Sequence, residues 1–575
     1  MSSNQPPQGP YGDQPPQGPY GQQPQDPHGT QSPQGGAYGQ QSQPGQPGPP
    51  QGPPGDGWQQ PDQSGGPPSG GGRKRGVVIV AVVAAIAVVA AGAVLAFQTF
   101  GGGGARPADS MPASALAYAQ FDLDPSAEQK VNVVRLLRGF PEFEEETGIT
   151  SDRDDLRQLA FEEALSDLDC DLDYEQDIEP WIGDRVGISA VPVDDTVIPV
   201  IAVQVSDEGP AEEAVSTLEE CSTTGALPED IDVAEEDSDV GVDFVGEYML
   251  LTEADHLEAV VQMSTDSPLG DTDGFTQDMN SLEEQGVMSF WVDIQGLLET
   301  PEVASSMESS GEDLSVLEEY DSAFGALRAG SDYIELATMV RGGSFTLEAD
   351  GDNPVTELPD TTLSALSVSG GGRALDENWD DLLTTLDSSN GGQTQAQIDA
   401  FESETGFSVP EDLVTLLGDN LMIALDAEGL SPDNLQDASD ISNLGFGARF
   451  TTDPDAIGDL VDRIQSLIGE QGVPVELSTA ETDDGLVLAS NDAYADQLAE
   501  GGSLGDSQTF QTAVPDASEA AVVFYLDFDR LEETADEFGG ADEVDRLQSL
   551  KAIGVSSAQD DDLTAVSFRM VFEDD

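Results

Sequence analysis

Hydrophobic positions fall into three regimes along the chain. From Val77 to Phe97 they are continuous, 21 residues with no charge, Pro or strongly polar group. A helix rising about 1.5 Å per residue would carry that run across roughly 30 Å, the thickness of a bilayer's hydrocarbon core. A single transmembrane helix is therefore predicted over residues 76–98. Residues 1–75 show no apolar period at all and are mostly Pro, Gln, Gly and Ser. Such a segment cannot offset the entropy of ordering, so a disordered tail is predicted. A short Gly-rich linker, residues 99–106, follows the span.

Beyond it, periods of 2 and of 3.6 alternate. Leu116–Leu123 reads as a strand and Val131–Leu137 has helical spacing. Arg185–Val193 and Val197–Val205 are β-branched runs around a polar Asp194-Asp195 turn, which predicts a hairpin. Pro210 stands where a helix should begin, and Ala211, Ala214, Val215, Leu218 and Cys221 line one face of it. A strand over Val242–Thr252, a helix over Ala254–Met263, a strand over Val287–Ile294 and a strand pair at Tyr333–Arg341 and Ser344–Glu348 complete the series.

The series then starts again, in the same order. Phe143–Gly148 (FEEETG) recurs as Phe401–Gly406 (FESETG). Ile182-Gly183-Asp184 before a strand recurs as Leu417-Gly418-Asp419. Leu269-Gly270-Asp271 with Phe275 recurs as Leu504-Gly505-Asp506 with Phe510, and FWVD ending at Asp293 recurs as FYLD ending at Asp527. The helix after Pro210 has its counterpart after Pro454, and the last strands recur at Lys551–Ser556 and Leu563–Phe572. An internal duplication explains this order, with halves at 107–351 and 352–575. Hairpins mixed with helices, without strict βαβ alternation, predict α+β halves with largely antiparallel sheets that pack together.

Charge narrows the partners. The chain carries −94, and its tail holds Arg73, Lys74 and Arg75 against only four aspartates. Nearly all the acid therefore lies beyond the span. Nucleic acid and anionic lipid surfaces are excluded as partners, since both need clustered Lys and Arg. Arg73, Lys74 and Arg75 abut the apolar run, so the positive-inside rule places the tail in the cytoplasm and the acidic mass outside the cell membrane. A cleaved signal peptide fits less well, because 72 residues precede the first basic one. Outside, a disulfide is permitted, and the only two cysteines, Cys170 and Cys221, are either one bridge or two free thiols.

The stretches DIEPWIGDRVGISAV (Asp177–Val191) and SALAYAQFDLDPSAEQKV (Ser114–Val131), with the GPYG-rich tail before one anchor, resemble an actinobacterial family. It is catalogued as domain of unknown function thirty-three fifty-two. The resemblance covers most of the segment beyond the span and implies a membrane-anchored envelope protein. It implies no activity, cofactor or site residue.

The search for chemistry finds little. His256 is the one histidine beyond the span and sits in a helical TEADHLEAVV. No G-x-S-x-G elbow, phosphate loop or dinucleotide fingerprint occurs. Asp167, Asp169, Asp171 and Asp173 alternate like calcium ligands, but Leu172 and Ile178 stand where a calcium loop needs Gly and Glu. These acidic loops, with Asp152–Asp155 and Asp560–Asp562, suit weak divalent cations at most. Carboxylates singled out by repetition, Asp184/Asp419, Asp271/Asp506 and Asp293/Asp527, have an ordinary reading as turn and cap residues. Trp181, a candidate sugar platform, aligns with Leu416, which favours a core role. The expectation is a non-catalytic, single-pass envelope protein without catalytic, cofactor or metal residues. It would bind an envelope protein, a cell-wall polymer or an apolar ligand. The alternative is a carboxylate-dependent hydrolase of envelope glycans.

Overall fold

The computed structural model describes, isolated positions aside, residues 105–122, 173–222, 240–300, 314–349, 351–427, 442–470, 477–532 and 549–573. The tail, the apolar run with its Arg73-Lys74-Arg75 flank, the Val131–Leu137 segment, the Asp152–Asp155 and Asp167–Asp171 loops and Cys170 lie outside the described residues. Among the described residues, no helix is long and apolar enough to cross a membrane.

Sixteen strands form one sheet. The first eight are β1 (Ala117–Asp122), β2 (Ile182–Val193), β3 (Thr196–Val205), β4 (Val240–Val245), β5 (Tyr248–Glu253), β6 (Met288–Asp293), β7 (Tyr320–Ala329) and β8 (Tyr333–Gly342). The others are β9 (Thr362–Ser369), β10 (Asn420–Asp426), β11 (Phe446–Thr451), β12 (Ser478–Thr482), β13 (Gly485–Ala489), β14 (Val522–Asp527), β15 (Leu550–Asp560) and β16 (Leu563–Phe572). Their order is 12-13-11-10-9-14-15-16-8-7-6-1-2-3-5-4. Outward from β8 the strands run 8-7-6-1-2-3-5-4. Outward from β16 they run 16-15-14-9-10-11-13-12, which is the same connectivity displaced by eight strands. Neighbouring strands pair antiparallel, and β8 meets β16 edge to edge with Ala337 opposite Ser567. The mixed α+β class therefore holds, but as a single continuous sheet and not as two sheets packed together.

One face of this sheet is covered throughout. Helices Leu257–Asp266 and Asp273–Ser281 lie on it in the first half, and Asp492–Glu500 and Gln508–Ala513 in the second. The repeated Leu-Gly-Asp triplets are single 3-10 turns, Leu269–Asp271 and Leu504–Asp506, which deliver Phe275 and Phe510 into the core. Phe275 stands edge-on to Tyr118 (5.3 Å) and Trp291 (5.5 Å), and Phe510 edge-on to Tyr525 (5.1 Å), the preferred aromatic geometry. On the other face, among the described residues, helices pack at the outer ends. Glu208–Ser222 packs near β3, β4 and β5, and Pro454–Glu470 near β10, β11 and β13.

The β2–β3 hairpin forms where the pattern puts it, with Asp194 in the left-handed region at its turn (φ 54°). Two expectations fail for local reasons. Val242–Thr252 is not one strand but the β4–β5 hairpin, turned at Gly246 (φ 65°), because Gly246-Glu247 interrupts its β-branched run. Ser344–Glu348 is not a strand. The free edge of β8 is already taken by β16, and the chain leaves the sheet through Gly342 and Gly343 (φ 91° and 92°). The partner of β8 within the first half is β7, an Ala/Gly-rich strand whose pattern is weak.

Candidate interaction surface

Side chains on an antiparallel sheet alternate between faces, and residues directly opposite share a face. Following the register from Leu336 in one direction gives Leu327, Met288, Phe121, Val186, Val203, Met249 and Phe244. In the other direction it gives Phe568, Val555, Phe524, Leu366, Ile423, Ala448 and Leu488. The row is apolar across every strand except β12, where Thr479 ends it. The parallel row through Ile201, Ile188, Ala119, Phe290, Val566, Val522 and Val368 is interrupted only by Gly325, Thr338 and Ser557. Gly325 is required there, since a Cβ would meet the Phe290 ring at 2.7 Å.

An antiparallel sheet that faces water on one side normally reads apolar-in, polar-out. Here several strands are apolar at consecutive positions, as in Leu421–Leu425 (LMIAL) and Val522–Leu526 (VVFYL). That is the composition of two-sided burial. Yet on the partly covered face Leu336 is 40% exposed, Leu366 40%, Ile423 45% and Ile201 37%, whereas Ala119, Phe121 and Met288 on the same rows are buried. Apolar patches of this kind mark interaction sites.

The covered face at the junction is, by contrast, polar. Glu335 on β8 is buried and accepts from Ser567 Oγ (2.7 Å), Arg569 Nε (3.1 Å) and Arg328 Nη1 (3.2 Å). Burial pushes its carboxyl up, but the Ser567 hydrogen bond and the charges of Arg569 and Arg328 outweigh that and hold it below the ordinary value. At the other end of β8, Arg341 donates to Asp278 (2.7 Å) and to both oxygens of Asp562 (3.1 Å each). Asp278 also accepts from Ser322 Oγ (2.6 Å) and Trp291 Nε1 (2.9 Å). Both networks cross from the first half to the second. All five strand arginines, Arg185, Arg328, Arg341, Arg449 and Arg569, are on the covered face by register, and each is paired with a carboxylate.

The other candidates have structural occupations. Asp293 and Asp527 lie on β6 and β14, five strand places apart, and each caps the helical turn after its strand, by Gly296 N (2.8 Å) and Arg530 N (3.1 Å). Asp184 is in β2, and the backbone N–H of Asp419 donates to Thr451 O (2.8 Å) just before β10. Asp271 and Asp506 each end a 3-10 turn. Asp562 serves Arg341. Asp173 caps the turn Tyr174–Ile178 through Gln176 N (3.0 Å). His256 immediately precedes helix Leu257–Asp266, 3.7 Å from Glu253. Trp181 is buried among Ile178, Ala211 and Met249 and donates to Asp177 O (2.6 Å). Cys221 falls in the last turn of Glu208–Ser222, but its side chain is not among those described. Among the described residues no group of three His, Cys, Asp or Glu could hold a metal ion. A concavity of about 430 Å³ at Thr405, Gly406, Asp462, Arg463 and Ser466 opens to solvent. Its arginine is already held by Asp412 (2.8 Å at each nitrogen) and by Gly406 O (3.0 Å).

The family described as "Protein of unknown function (DUF3352)" matches residues 77–453, about two thirds of the chain. The chain belongs to this family. The DUF3352 match starts at the first residue of the apolar run and ends just past β11. No curated protein matches the chain. Among solved structures it is similar to TP0453 in crystal form I, at 11% identity over 43% of this chain and 82% of that one, with a TM-score of 0.21. A score that low carries no argument about fold or function, so the reading of this DUF3352 member rests on its own sheet.

Sequence reasoning missed the transverse rows. The signal was present as consecutive apolar residues within strands. It becomes a surface only once the register lines up fifteen strands that are far apart in the chain.

Proposed function

We propose that this chain is a membrane-anchored, non-catalytic binding module of the cell envelope, and that the sheet face bearing the exposed Leu336, Leu366 and Ile423 is the binding surface. The observation that carries this reading is the uninterrupted apolar row through Leu336, Phe568, Phe524, Leu366 and Ile423, in which Leu336, Leu366 and Ile423 are exposed. Fully burying a single Leu or Ile is worth roughly 1.5–3 kcal/mol, so a partner that covers several of them gains enough to bind. Of the repeated carboxylates, Asp293 and Asp527 are occupied as helix caps, which supports binding over catalysis. The anchor at Val77–Phe97 and the basic flank Arg73-Lys74-Arg75 supply the location in this reading.

The test compares full-length protein purified from its native membranes with the double variant Leu366→Asp/Ile423→Asp. A protein or lipid component that accompanies the parent and is lost from a variant with an unchanged circular dichroism spectrum is the expected result. Identical accompanying components in both would count against the face as the binding surface.

A further inference from the structure

We infer that the two halves are the joined subunits of a dimer and that the edge where they meet is a recognition surface. The β8 edge of a first half takes the β16 edge of a second half, including that of a second copy of the chain, and rejects its own like. The register carries this. FWVD and FYLD place Trp291 and Tyr525 at matching positions. Trp291 lies opposite Phe324 and Phe324 opposite Met339, while Tyr525 lies opposite Gly554 and Gly554 opposite Arg569. Met339 and Arg569 are therefore counterparts, and so, two residues back, are Ala337 and Ser567. Those two lie directly opposite each other in the junction. Antiparallel strands whose counterparts meet at one point are related by a twofold axis through that point, the arrangement of an isologous dimer. The cores trade side chains across it. Tyr333 of the first half packs against the second-half core, and its counterpart Leu563 packs against the first-half core.

Charge breaks this symmetry at one pair of places. On one side of the axis buried Glu335 faces Arg569, at 3.1 Å from its Nε. The same guanidinium lies 4.2 Å from the centre of the Tyr333 ring. On the other side the counterparts are Ala565 and Met339, an apolar pair. Two first halves joined in the same register would set each Glu335 against Met339, without Arg569 or Ser567. Two second halves would set each Arg569 against Ala565. Stripping a buried charge of its partner is strongly unfavourable, so like pairing is penalised on both sides. Arg341 and Asp562 do not discriminate in this way, because the counterpart of Asp562 is Asp332, another aspartate.

The covalent join between the halves is short. Gly343 N donates to Glu319 O and Ser344 N to the Glu319 carboxylate, on the first half. Leu347 N donates to Gln559 Oε1 and Asn353 N to Ser518 O, on the second. Phe345 and Thr346 lie between these two sets of contacts, and Phe345 is exposed. Such a tether holds the chain's own second half at an effective concentration of the order of mM, so self-closure wins in the parent. Exchange with a second copy becomes visible once self-closure is disabled.

The test co-expresses two intact full-length chains with different tags, one carrying Glu335→Arg and the other Arg569→Glu. Alone, each sets like charges against each other across its own junction. Together, Glu335 of the Arg569→Glu chain meets Arg569 of the Glu335→Arg chain, and a native junction forms between chains. A tagged pull-down should recover the two variants as a one-to-one pair, at least about tenfold more than from two parent chains. Either variant expressed alone should give no pair. A second measurement keeps the parent side chains. Full-length protein cleaved at a protease site placed between Phe345 and Thr346 should remain a one-to-one complex of its halves. Light and isotope-labelled cleaved samples, mixed through a cycle of urea and dilution, should give light–heavy pairs of a first with a second half by native mass spectrometry, and no pairs of like halves. With Glu335→Met in the cleaved chain, pairs of first halves should appear. Folded variants that stay apart when co-expressed overturn the inference. So do cleaved halves that fail to re-pair or re-pair like with like as often as unlike, and Glu335→Met first halves that still reject each other.

Discussion

Glu335 is the residue on which the junction depends most. It is buried between two arginines from different halves, and removing one partner of a buried ion pair typically costs 3–5 kcal/mol because the other charges remain. Glu335→Ala is therefore expected to lower unfolding stability by about that amount in a denaturant titration. Its pH dependence has a definite sign. The folded carboxyl is held below its unfolded value of about 4.3, so its stabilisation is complete above that value and is lost as pH falls through the lower folded one. Glu335→Gln should accordingly show a flatter fall in melting temperature below about pH 4 than the parent. Arg341 offers an internal contrast. Arg341→Met leaves buried Asp278 without its cation and should cost about 3–5 kcal/mol. Asp562→Asn removes only an exposed partner of the same arginine and should cost about 1 kcal/mol or less. Equal effects of the two substitutions would mean that Asp278 is adequately held by Ser322 and Trp291 alone.

At the scale of elements, the repeated short motifs turn out to be joints. Asp293 ends β6 and caps the helix Ile294–Glu299, so Asp293→Ala should cost about 1 kcal/mol in thermal or denaturant unfolding. Gly554 on β15 lies under helix Gln508–Ala513, where a Cβ would come within 2.1 Å of the Ala513 carbonyl oxygen. Gly554→Ala is expected to destabilise by about 1–3 kcal/mol, since backbone and not a flexible side chain must move. At the matching place in the first half the sheet carries Phe324, fully buried, opposite Trp291 as Gly554 is opposite Tyr525. Such elements were legible in the sequence wherever one period dominated. The β2–β3 hairpin, the helix starting at Pro454 and the Leu-Gly-Asp turns all come from local signals. Strand β7 was not legible, because SAFGALRA mixes small residues with no clear alternation. The strand expected at Ser344–Glu348 does not form, because the edge of β8 is taken by a strand more than 200 residues away.

At the scale of the whole molecule, the order of recurring motifs is a linear property and could be read directly. The joining of β8 to β16 could not. Nothing local marks which strand edges meet, and Glu335, Arg341, Ser567, Arg569 and Asp562 acquire their meaning only across that seam. The candidate surface has the same origin. Leu336, Phe568, Leu366 and Ile423 are unremarkable within their own strands and form one row only after pairing. At its centre the Glu335 and Arg341 ion pairs lie on the helix-covered face, while Leu336 and Leu366 are exposed on the other. An apolar partner over Leu336, Leu366 and Ile423 would remove that exposure. Incorporating a photo-cross-linking residue at position 366 or 423 of the full-length chain, in its native membrane, asks that question most directly. A light-dependent adduct with an apolar partner at both positions, and none at position 401, is the predicted result. Folded protein that gives no adduct at either position would contradict the account.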